Sequence, residues 1–144
     1  MAESVAAMLL DAAREDAKAV RALSQLPEIS DTIVGFHAQQ SIEKALKAVL
    51  SSSGVAFRRT HDLAELLDLI SDHRLPSPPF ADFLDELNPF AVEARYGLIA
   101  PGSIDRPQAL EWIDQVLDWA VATSSSHRSE DPARTLREQS RKPD

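Results

Sequence analysis

Cysteine is absent from the 144 residues, which excludes disulfide staples, thiolate metal sites and a cysteine nucleophile. Glycine occurs four times, and neither phosphate-loop template, G-x-x-x-x-G-K-[ST] or G-x-G-x-x-G, is present. H-E-x-x-H and G-x-S-x-G are missing as well. The histidines His37, His61, His73 and His127 are scattered, without a spacing that makes a metal site, so no metal and no cofactor are expected. No apolar run approaches the roughly 18 residues that span a bilayer. The start, MAESVAAMLLDAARED, carries Glu3 and Asp11 and no basic stretch ahead of its apolar residues, so no export signal is expected. A cytoplasmic protein without membrane attachment is the expectation.

Positive charge is also in short supply. Lys and Arg number 15 against 23 Asp and Glu, for a net charge of −8. Five of the basic residues (Arg128, Arg134, Arg137, Arg141, Lys142) stand after His127, beside four acids, which leaves ten basic and nineteen acidic residues, or −9, for the rest. Such a surface repels a polyanion as a whole, so a broad nucleic-acid face is excluded and only a local basic pocket can hold phosphate.

What is plentiful is Ala, Leu, Glu, Asp and Lys, without β-type alternation, and the chain reads as all-α. A first helix is expected from Glu3 to Leu26, with Val5, Leu9, Ala12, Ala19 and Leu23 on its buried stripe, ended by Pro27. A second begins after Ser30 as N-cap, runs to Ser52 and exits through Gly54. Its core arc is Val34, Ala38, Ile42, Ala45, Leu46 and Val49. Ile33, His37, Gln40, Lys44 and Lys47 form a stripe on the opposite side. Thr60 is the expected cap of a third helix that buries Leu63, Leu66, Leu67 and Ile70.

After a proline-rich turn, Phe80, Phe83, Leu84 and Leu87 have the spacing of a fourth helix. Asn88-Pro89 then opens a short one from Phe90 to Tyr96. The last helix runs from Asp105 to Thr123 on Leu110, Ile113, Val116, Leu117 and Ala120, with Pro107 tolerated in its first turn. Residues 1–123 thus form an up-down bundle of four main helices with one additional short helix, and 124–144 a polar tail expected to be disordered.

Three segments carry candidate chemistry. Lys44 and Lys47 stand out on the second helix against the acidic background; Glu43 and Lys47 also suit an ordinary i,i+4 ion pair. Arg58-Arg59-Thr60-His61 precedes a helix start, where backbone N–H groups and two planar guanidiniums suit a phosphate. The same arginines equally suit pairing with the abundant acids. Arg95-Tyr96 ends the short helix before a Gly-Pro loop, a pair able to clamp a phosphate and stack a base. Trp112 and Trp119, seven apart, fit core or dimer packing better than base stacking.

FHAQQSIEKALKAVLSSSGV, RTHDLAELL and LNPFAVEARYG, in this order and spacing, resemble the HEPN family (higher eukaryotes and prokaryotes nucleotide-binding domain) over Val5 to Ala122. The resemblance implies a helical bundle that dimerises side by side. It also implies, for many members, a neighbouring minimal nucleotidyltransferase in a toxin–antitoxin pair. Active members cleave RNA without metal through an Arg and a His with about four to six residues between them, the one holding phosphate and the other moving protons.

Arg95 stands where that arginine is expected, but the positions for the histidine hold Ala100, Pro101 and Gly102, and no other Arg has a His at that spacing. No catalytic residue is therefore carried over. The residues that match the shared pattern are Gln40, Glu43, Lys44, Lys47, His61, Arg95 and Tyr96. With Arg58 and Arg59 they make a candidate phosphate-binding set of Gln40, Lys44, Lys47, Arg58, Arg59, His61, Arg95 and Tyr96.

The leading expectation is a non-catalytic homodimer that binds a nucleotide or other phosphate-bearing ligand beside a nucleotidyltransferase partner. The alternatives are an interaction module without ligand, and an atypical ribonuclease that uses His61 or His37 with Arg95.

Overall fold

The computed structural model describes residues 4–92, 96 and 104–129. They form α1 (Val5–Leu23), α2 (Asp31–Ser52), α3 (Leu63–Asp72), a 3-10 turn (Leu84–Leu87), the one-turn α4 (Pro89–Val92) and α5 (Arg106–Ser129), with no strand among the described residues. Side-chain caps fix several starts. Ser4 Oγ accepts from the Ala7 N–H, Ser30 Oγ from Ile33 and Asp105 Oδ1 from Gln108. Gly54, at φ 72°, supplies the left-handed exit of α2 that a side chain resists.

α2 is the axis. Twelve of its 22 residues are buried, including all six of the expected core arc, because α1, α3, α4 and α5 all pack on it. α1 runs antiparallel to it and close: the Ser41 hydroxyl, itself buried, donates to the Ala13 carbonyl at 2.8 Å. α4 presses onto the same helix. A methyl at Gly35 would meet the Phe90 ring at 2.2 Å, so only glycine admits this approach.

Arg106 locks the far end. Its guanidinium pairs with Asp31 at 3.1 Å and donates to the carbonyls of Leu23, Ser24, Leu26 and Ile29. It thereby closes the C-terminus of α1, where carbonyls lack helical partners.

Four expectations are corrected. α1 buries Ala6, Leu10, Ala13, Asp16, Ala17 and Val20, and Val5 is 62% exposed. Its alanine-rich surface offers two nearly equivalent stripes, and the close approach to α2 selects the one with the smaller side chains. The Phe80–Leu87 stretch is a turn followed by one 3-10 turn rather than a helix. There Phe80 adopts φ 60° and its ring packs against Trp112 at 6.0 Å, so ring packing sets the backbone.

α3 starts at Leu63 with Asp62 as its cap, not Thr60. α5 continues to Ser129, beyond Thr123, and Thr123 and Ser124 are buried. Small hydroxyl side chains pack in the core without leaving an apolar signature. The proposed tail from 130 onward lies outside the described residues.

Candidate functional site

The segment between α2 and α3 is held from below by one buried acid. Glu43, on the α2 face toward α3, is 3% exposed. Its Oε1 accepts from Gln39 Nε2 (3.1 Å) and His61 Nδ1 (2.9 Å), and its Oε2 from Lys47 Nζ (3.1 Å). A carboxylate only accepts, so His61 carries its proton on Nδ1, which leaves Nε2 for other contacts. Fully buried Gln39 also donates to the His61 carbonyl at 2.9 Å and accepts from Gln40. The position of His61 is therefore dictated by α2.

Asn88, just before α4, holds the same segment from the other side. Its Oδ1 accepts from the Leu63 N–H and its Nδ2 donates to Asp62 Oδ1, which also accepts from the Ala64 N–H. The Leu63 and Ala64 N–H groups, two of those expected to favour an anion, are thus taken by side chains of the protein.

Between these supports lies a depression of about 420 Å³, lined by Arg58, Arg59, Thr60, His61, Asp62, Asn88, Ala91 and Val92. Arg58 Nε pairs with Glu65 Oε1 at 2.5 Å. That hydrogen bond, with the charge attraction behind it, raises the Arg58 pKa. The same bond, helped by the Thr60 hydroxyl, lowers that of Glu65. Both stay ionised through neutral pH, and the pairing weakens only in acid, as pH falls through the lowered Glu65 value. Arg59 is exposed and has no ion pair among the described residues.

The structure brings Arg58, Arg59 and His61 of the candidate set together at the depression; Gln40, Lys44 and Lys47 do not line it, although Lys47 shares the Glu43 carboxylate with His61. Lys44 Nζ bonds Asp16 Oδ2 at 2.6 Å, on the α1 side, where His37 Nδ1 shares the same carboxylate at 2.9 Å. Lys47 is 13% exposed on Glu43, with its ammonium 5.8 Å from the Phe57 ring. Gln40 Nε2 donates to Gln39 at 2.7 Å. Tyr96 is 73% exposed, and Arg95 lies outside the described residues.

Sequence reasoning missed Asp16, Gln39, Asp62 and Glu65. Asp16, four short of Val20 on the buried face of α1, was the one available signal. A second depression, beside the 3-10 turn, carries Glu86 and Asp105 on a floor of Leu87, Phe90 and Trp112, which opposes an anion. No cluster of metal-ligating residues occurs among the described residues, and no described helix is long and apolar enough to cross a membrane.

An all-helical bundle with a cation-bearing depression at the α2–α3 junction is the class this geometry defines. The HEPN domain model matches residues 6–123, and the chain belongs to the HEPN domain family. Comparison with curated proteins and with solved structures returned no match.

Proposed function

We propose that the chain is a non-catalytic HEPN protein that acts as a homodimer. In this reading it binds a nucleotide or other phosphate-bearing ligand in the α2–α3 depression and works with a nucleotidyltransferase in a toxin–antitoxin-type module. The observation that carries the reading is Arg59. On a protein of net charge −8 it stands in a concave site without a carboxylate partner among the described residues. A guanidinium of that kind is a fork for phosphate.

Calorimetric titration of the full chain with nucleotides and short RNA at low salt tests this. Heat of binding is expected, and Arg59→Ala weakens it by roughly tenfold, the value of one charge-assisted contact. Absence of heat with every ligand overturns the reading.

A second reading, an interaction module without ligand, is favoured by the ion pairs of Lys44 and Lys47 and by the exposed apolar side chains Ile33 (47%) and Val92 (54%). It predicts blank titrations together with a concentration-dependent mass in solution.

A further inference from the structure

Charge bookkeeping in the depression goes further than the presence of a phosphate site, though it rests on that reading. Two guanidiniums, Arg58 and Arg59, line the depression with one carboxylate, Asp62. Arg58 is committed to Glu65 at 2.5 Å, so that pair presents almost no net charge to a ligand. Arg59 is the one guanidinium lining the depression without a carboxylate partner among the described residues.

Asp62 lines the same depression. Its Oδ1 is filled by the Ala64 N–H and Asn88 Nδ2, and its Oδ2 has no hydrogen-bond partner among the described residues. The wall is apolar, made of Ala91 and Val92. The two N–H groups that would neutralise a further phosphate, those of Leu63 and Ala64, are already bonded to side chains.

We infer that this depression selects a single phosphate group attached to a nucleoside, as in a nucleoside monophosphate, and disfavours nucleoside triphosphates. One phosphate meets Arg59. The sugar or base lies along Ala91 and Val92, with a hydroxyl or amino group donating to Asp62. Additional phosphates find no second free guanidinium and approach the Asp62 carboxylate, where like charge repels them. The volume of about 420 Å³ sits within the range of small-molecule sites, about 300–1,000 Å³. A free mononucleotide and the phosphorylated end of an RNA strand present this same chemistry.

The test is a set of titrations on the full chain at low salt with AMP, ATP (with and without Mg²⁺), inorganic phosphate, and a short oligoribonucleotide with and without a terminal phosphate. AMP is expected to bind about tenfold more tightly than ATP. Asp62→Asn keeps a good helix cap; it removes the charge that repels ATP and replaces the free acceptor oxygen with a donating amide, so ATP binding is expected to improve, AMP binding to weaken, and the gap to close. An RNA whose affinity depends on its terminal phosphate and exceeds that of AMP supports the same chemistry and assigns it to RNA ends. ATP binding as tightly as AMP, or an unchanged gap in Asp62→Asn, overturns the inference and leaves the phosphate site standing. Silence from every ligand overturns the site itself.

Discussion

Arg106→Ala is expected to lower the stability of the bundle by about 3–5 kcal/mol, measured as a shift of the urea midpoint at constant slope. The side chain is 17% exposed and its partner Asp31 16%. Removal leaves that acid without its guanidinium in a poorly hydrated position. It also strips the carbonyls of Leu23, Ser24, Leu26 and Ile29 of a charged donor.

The guanidinium serves five acceptors because it carries five N–H donors in a rigid plane. Arg106→Lys, with three donors on a compact head, is expected to recover less than half of the loss. A loss below about 1 kcal/mol in Arg106→Ala would show that water replaces these bonds at little cost.

Glu43→Ala is expected to have a comparable effect, again about 3–5 kcal/mol. The carboxylate is 3% exposed. Its removal strands the Lys47 ammonium, which is 13% exposed, and takes one of two acceptors from the fully buried Gln39 amide. Burying an unpaired cation costs more than the pair gave. Glu43→Gln keeps the shape and an acceptor and loses less. Thermal unfolding of both variants checks the order. Equal losses in the two would mean that shape rather than charge holds the site.

Much of the fold was legible because α2 obeys its period without competition. Val34, Ala38, Ile42, Ala45, Leu46 and Val49 are all at most 1% exposed, as their 100° spacing required. α1 misled by one position because alanine on either stripe satisfies the pattern. The choice depended on how closely α2 approaches, a tertiary fact. Phe80–Leu87 has a helical spacing but lies between a proline-rich turn and Asn88-Pro89, and the Phe80–Trp112 contact overrides local preference.

The site was legible in part for a related reason. Arg58, Arg59 and His61 are neighbours in sequence and stay so in space. Lys44 looked free because an acid 28 residues away, Asp16, is invisible to a helical wheel. Glu43 was seen as an i,i+4 partner of Lys47, and that pairing holds at 3.1 Å. Its grip on His61 required the crossing of two helices.

The enclosure of α2 has a kinetic corollary. Its central turns, from Ala38 to Val49, sit beneath neighbours on several sides, so their amide protons trade with deuterium only when the entire domain opens. The one-turn α4, anchored through Phe90 and ending at the exposed Val92, has far less to hold it. Its amides are expected to trade orders of magnitude sooner, so that one wall of the depression breathes far faster than the helix beneath it.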